Sequence, residues 1–223
     1  MAALTDLLGQ NVILTISGIN APLRGNLDHL GNDMIILNNG RKYIYIPLLH
    51  LRQLVLDDDQ RTGDSGVMLT EPLFDDEKDI SYRKMLMNAK GVFTEMVITG
   101  SQPLHGYVTS VMNDYFAFYS PVYQVVYIPM QQLKYMIPYE PNVTPYALML
   151  ERFPLSPLSL TLARTFDQQL KKLEGRLVVL DSGDDPRTIG QLKSIRNGMV
   201  ELVAAGGETV FLHMEQIRTV HIP

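Results

Sequence analysis

The 223-residue chain holds few residues that could do chemistry. Its histidines are His29, His50, His105, His213 and His221. A zinc hydrolase needs two histidines on one helix face with a glutamate between them, and no pair here has that spacing. The chain has no cysteine, which removes thiolate nucleophiles, disulfides and thiolate-bound zinc. "GDSG" at 63–66 is spelled like the nucleophile loop of a serine protease. It falls in a polar linker, and the histidine and aspartate that would activate the serine are missing. Asp57, Asp58 and Asp59 could open a calcium loop, but no glutamate closes it at the twelfth position. "AAGGETV" at 204–210 joins two expected strands rather than a strand to a helix, so it reads as a hairpin turn and cradles no phosphate. The expectation is a protein that is not an enzyme, with no catalytic residue, no metal and no cofactor.

The residues that do recur are aromatic and basic. "YIYIPLLHLRQLVL" at 43–56 returns as "VVYIPMQQLKYMIP" at 125–138 and, more worn, as "TVFLHMEQIRTVHI" at 209–222. Tyr45-Ile46-Pro47 falls on Tyr127-Ile128-Pro129 at an offset of 82, and Leu51, Arg52 and Leu54 fall on Leu133, Lys134 and Met136. At an offset of 166, Ile46, Leu51 and Leu54 become Leu212, Ile217 and Val220, and His213 replaces Pro47. Upstream, "PLRGNLDHLGNDMIIL" (22–37) matches "PLHGYVTSVMNDYFAF" (103–118), with Gly25, Asn32 and Asp33 recurring as Gly106, Asn113 and Asp114. "IGQLKSIRNGMVEL" (189–202) keeps Gly190 and Asn197 at the same spacing. Turn residues are kept and core residues are exchanged for other apolar ones, the drift expected of a unit repeated three times.

Each unit needs the same elements to carry these residues. A short helical pattern precedes Gly9, Gly91 or Gly175, where a left-handed helix end is expected. Four strands follow, then a helical turn and a short fifth strand. The second strand carries a glycine in every copy, which marks a sharp bend or a close backbone approach. "GND", "MND" and "RNG" are tight turns. In the fourth strand, Ile44 and Ile46, Val126 and Ile128, and Val210 and Leu212 form the inward face. Tyr45, Tyr127 and Phe211 alternate with them and face outward, with Tyr43 beside them. Outward rings in every unit need a surface to cover them, either a neighbouring unit or a partner. Tyr115, Tyr119 and Tyr123 give the second unit the most aromatic surface on the chain, the first expectation for an external partner. Arg52, Lys134 and Arg218 put one cation per unit, either as an anion or RNA contact or as salt bridges.

A helix and five short bent strands in about 55 residues read as a small barrel. "GNLDHLGNDMIIL", with "YIYIPLLHLRQL" after it, resembles the two motifs of the Sm-like fold, the family of the Sm proteins and the bacterial RNA chaperone Hfq. The closing phrase is similar to that of uncharacterised Sm-like proteins of Bacillus relatives, some described as spore-coat associated. The resemblance implies a mainly β chain of three tandem five-stranded barrels, each led by a short helix. In Sm-like assemblies strand four of one unit pairs with strand five of the next. RNA-binding members place Lys-His or Arg-Gly at the turn after strand four. Here the nearest residues are Leu48 and Leu49, Met130 and Gln131, and Met214 and Glu215, none of them basic.

The net charge is −5, with 19 basic and 24 acidic residues, which disfavours a large nucleic-acid footprint. No signal peptide or membrane span is read, so the expected location is cytoplasmic, with association to the spore coat as the implication of the resemblance. The expected partners are proteins or further copies of the chain, with RNA as the alternative. The expected boundaries are barrel 1 at 1–57, an acidic linker at 58–74, barrel 2 at 75–140, a proline-rich ordered strap at 141–158 and a divergent barrel 3 at 159–223.

Overall fold

A computed structural model of the chain describes residues 2–57, 70, 72–74, 80–98, 102–153 and 161–223. The first repeat runs α1 (Ala2–Thr5), β1 (Asn11–Ile16), β2 (Leu23–Leu30), β3 (Met34–Asn38), β4 (Tyr43–Pro47) and β5 (Leu51–Leu56). The second runs α2 (Tyr82–Asn88), β6 (Phe93–Val97), β7 (Leu104–Val111), β8 (Tyr115–Ser120), β9 (Gln124–Pro129) and β10 (Tyr135–Pro138). The third runs α3 (Phe166–Lys171), β11 (Leu177–Leu180), β12 (Ile189–Arg196), β13 (Met199–Ala204), β14 (Thr209–His213) and β15 (Val220–His221). Among the described residues the chain is mainly β, its strands pair antiparallel, and the helices are short. A single 3-10 turn leads each repeat into its fifth strand: Leu48–His50, Met130–Gln132 and Met214–Gln216.

The compact units do not follow the repeats. Met1–Tyr107 and Leu133–Met149 form one, and Val108–Gln132 and Leu150–Pro223 form the other. In the first unit the ladder runs β6-β10-β4-β3-β2-β1-β5. In the second it runs β14-β13-β12-β11-β15-β9-β8. Among the described residues neither ladder closes on itself, so of the expected small barrels, closed or half-closed, the structure shows antiparallel sheet without closure. The reason lies in strand four. β4 does not return to β5 of its own repeat but takes β10 from the next, and β9 likewise takes β15.

The repeated residues do repeated backbone work. A Cβ on Gly25 would stand 2.5 Å from the Asn38 carbonyl oxygen, and one on Gly190 2.3 Å from that of Val203. The strand glycine therefore marks a close backbone approach, with no room for a side chain. Gly9, Gly91 and Gly175 all have φ near +80° (77, 76 and 82). In all three repeats the glycine follows an extra turn after the helix rather than capping its last residue. Asn26 Nδ2 donates to the Gly9 carbonyl at 2.6 Å, and the aligned Gln191 Nε2 donates to that of Gly175 at 3.0 Å. Asn197 and Gly198 are both left-handed, which gives the β12–β13 hairpin its tight turn.

Val12, Leu14, Ile16, Leu27, Ile35, Leu37, Ile44 and Ile46 form the core of the first repeat. Leu170, Val178, Leu180, Leu192, Val200, Leu202, Ile217 and Val220 form most of the core of the third. Of the expected strap, residues 141–153 form turns in which Met149 and Leu150 are exposed. Phe153 is buried with its ring 6.5 Å from that of Tyr119. Leu155 and Leu158 lie outside the described residues, as does the linker through residue 69 with its Asp58, Asp59 and "GDSG".

Candidate interaction site on strand four

Alternation in strand four puts one residue of each copy on the face away from its own core. In β4 that residue is Tyr45, which is fully buried. Met136 of β10 stands opposite it, and Met136 is the aligned fifth-strand residue of the next repeat. The Tyr45 hydroxyl accepts the Leu73 N–H at 2.7 Å, and its ring lies 6.2 Å from Phe74. Burial holds the hydroxyl protonated, well above the ordinary tyrosine range. Tyr43, half-buried, stands two residues away, its N–H donating to Thr70 Oγ1 at 3.0 Å. Met34 and Ile36, the outward residues of β3, are buried on the same face.

Tyr127 of β9 repeats this arrangement. It is 1% exposed, and Val220 of β15 stands opposite it. With Tyr115 and Ala117, the outward residues of β8, it is part of the third repeat's core. The outward face of one repeat thus completes the core of the next. Tyr115 is edge-on to Tyr127 at 6.2 Å, and its hydroxyl donates to the Ala163 carbonyl at 2.8 Å. Gln169 Oε1 accepts from the Tyr115 hydroxyl and from the Ala163 N–H. The second repeat's tyrosines are therefore not the exposed aromatic surface expected from the sequence. Every residue of β8 is buried; on its outward face the third repeat covers Tyr115 and Ala117, and Phe153 stands against Tyr119. Tyr123 is half-buried with its ring 5.2 Å from His221.

Phe211 is the third member of the set, and it is 62% exposed. β14 pairs with β13 and, among the described residues, with no other strand. Its outward neighbours on β13, Met199 and Glu201, are half-exposed where their counterparts in the first two repeats are buried.

The aligned cations have separate fates. Arg218 reaches Asp181 at 3.2 Å, and its N–H donates to the same carboxylate at 2.7 Å. Lys134 Nζ lies 3.1 Å from His50 Nδ1. Arg52 is exposed on β5.

Asp33 and Asp114 do more than turn the chain. Asp33 Oδ1 accepts the N–H of Tyr82 at the start of α2, and Asp114 Oδ1 accepts that of Phe166 at the start of α3, both at 2.8 Å. Each repeat thus caps the helix that opens the next. The identity of Asn-Asp in both copies was the available signal, but it read as turn chemistry alone. The third repeat has Gly198 in this place.

A protein from Bacillus subtilis strain 168, the uncharacterised protein YwrJ, is 37% identical to this chain over 226 residues, covering all of both sequences. The chain belongs to the YwrJ family. The profile of the YwrJ third domain matches residues 165–220, from the cap of α3 to the first residue of β15. That stretch is the worn third repeat, so in the YwrJ family it is a unit in its own right. No solved structure matches the chain. Among the described residues, no helix is long and apolar enough to cross a membrane.

Proposed function

We propose that this chain is a non-enzymatic structural protein, built from Sm-like repeats, that assembles with other proteins through the edges of its sheets. One observation carries the reading. The outward aromatic of strand four is covered by a neighbouring strand in two repeats and left 62% exposed in the third, beside an edge that is unpaired among the described residues. An aromatic on an open β edge is a docking feature, since the backbone supplies the ladder and the ring supplies the anchor. A place in the spore coat belongs to the same reading, and coat extracts of spores from the source organism, probed with antibody, test it.

The experiment for the function is size exclusion with light scattering on the full chain, with and without a short single-stranded RNA, at low and moderate salt. The expected result is a mass that RNA leaves unchanged. A complex with RNA that weakens steeply with salt overturns the structural reading, because phosphate binding releases counterions. Arg52, Lys134 and Arg218 would then be the residues to neutralise.

A further inference from the structure

We propose that the free edge of β14 is completed by β5 of a second copy of this chain, with Phe211 of one copy opposite Leu54 of the other. The proposal rests on the interaction reading above and names the partner.

The chain makes the same strand contact twice. Strand four of the first repeat takes strand five of the second, with Met136 opposite Tyr45. Strand four of the second takes strand five of the third, with Val220 opposite Tyr127. Met136 and Val220 occupy the same place in their repeats, and in the first repeat that place is Leu54. Tyr45 and Tyr127 likewise correspond to Phe211. Two strands remain over. Among the described residues, β14 is a strand four with no strand five beside it, and β5 is a strand five whose pairing is with β1. The two leftovers are a matched pair by the rule the chain itself follows.

Exposure marks the same two strands. Phe211 is 62% exposed where Tyr45 and Tyr127 are at 0% and 1%. On β5, Val55 is 40% exposed, while the aligned His221 on β15 is 7% exposed. His221 stands opposite Val126, so the same register sets Val55 opposite Val210. Each leftover strand carries apolar side chains and, among the described residues, an unpaired backbone edge, and each is the sequence type that fills the other twice within the chain.

The contact is head to tail, since one surface is β14 and the other β5. Such a contact closes into a ring or runs on as a filament. It lacks one device of the internal pairs: Gly198 stands where Asp33 and Asp114 cap the following helix. The association therefore depends on concentration, resting on the ladder and the Phe211 ring.

Sedimentation velocity over a wide concentration range tests it on the full chain. The expected result is association that Phe211→Glu weakens by roughly tenfold or more, the effect of losing a central aromatic anchor, and that Phe211→Tyr keeps. Circular dichroism verifies folding, which an exposed position should not disturb. The native chain has no cysteine, so the register can be trapped directly. Leu54→Cys and Phe211→Cys chains, mixed and oxidised, are expected to give a disulfide-linked dimer containing one of each. A monomer at every concentration overturns the proposal. A Phe211→Cys chain that links to itself overturns it too, since that is β14 on β14. So does a Leu54→Cys/Phe211→Cys double variant that closes within one chain. If the chain stays monomeric but Phe211→Glu abolishes its binding to another purified protein, this inference fails and the broader interaction reading stands.

Discussion

Met136 stands directly opposite Tyr45 across the β10–β4 ladder, and both are fully buried. They are 91 residues apart in sequence and belong to successive repeats. The contact converts an outward-facing tyrosine into core, and it does so because β10 leaves its own repeat's fourth strand to pair with the previous one.

The three aligned aromatics should therefore respond very differently to the same change. Tyr45→Ala and Tyr127→Ala each empty a buried ring site and are expected to cost about 3–5 kcal/mol. Phe211→Ala in dilute protein should stay within about 0.5 kcal/mol of the parent, as for an exposed position. Urea midpoints at fixed slope measure all three. Similar losses for all three would mean that Phe211 is covered within one chain.

Tyr115 and Tyr127 share a pocket, but their hydroxyls do not share a fate. Tyr115 donates to the Ala163 carbonyl, so Tyr115→Phe is expected to cost about 1 kcal/mol. The Tyr127 hydroxyl is buried without a well-formed hydrogen bond; its polar neighbour is the Gln169 side chain, whose Oε1 already accepts from Tyr115 and Ala163. Tyr127→Phe should be near neutral or stabilising, since it removes a desolvated polar group that Gln169 satisfies only in part. Denaturation of the two single variants decides between these outcomes.

Asp33→Ala and Asp114→Ala each remove an acceptor at the start of the following helix. Each is expected to lose about 1 kcal/mol, the usual worth of a helix-end cap. Amide exchange should show the loss at the first turn of α2 or α3, and uniform protection there would contradict the assignment.

Gly25→Ala and Gly190→Ala would drive a methyl group into a backbone carbonyl on the next strand. Overpacking of this kind costs about 1–3 kcal/mol, and here no flexible side chain can move aside. A thermal midpoint unchanged in either variant would show that the strands part more easily than the close approach implies.

His221 gives the chain a pH dependence of known sign. Burial lowers its pKa below the ordinary imidazole value of 6.5, because the charged ring would be desolvated on β15. The folded state then binds fewer protons than the unfolded state between the lowered pKa and 6.5. This contribution is complete above about pH 6.5 and declines as pH falls through that window toward the folded pKa. His221→Gln should flatten the slope of stability below that pH in urea titrations. An unchanged slope would place the ring in contact with solvent.

Much of this was legible in the chain alone. Two spacings of 82 and 166 residues revealed three copies of one unit, because tight turns and close backbone approaches tolerate few residue types. Gly25 could be read as marking either a sharp bend or a close backbone approach, since a strand-interior glycine usually serves one of these, and the structure shows the close approach. The alternation of Ile44, Tyr45 and Ile46 put the tyrosine on the outward face, since strand geometry has a period of two. Local rules of this sort act over a few residues, so they survive in one dimension. What covered the outward face was not legible, because that depends on strands brought from far along the chain. β8 reads as an aromatic surface and proves to be core, since the third repeat's helix and strands pack on it. Tyr45, Tyr127 and Phe211 look alike in sequence. Only the tertiary structure separated them, because burial is set by whether another repeat's fifth strand lies alongside, and among the described residues none lies beside β14.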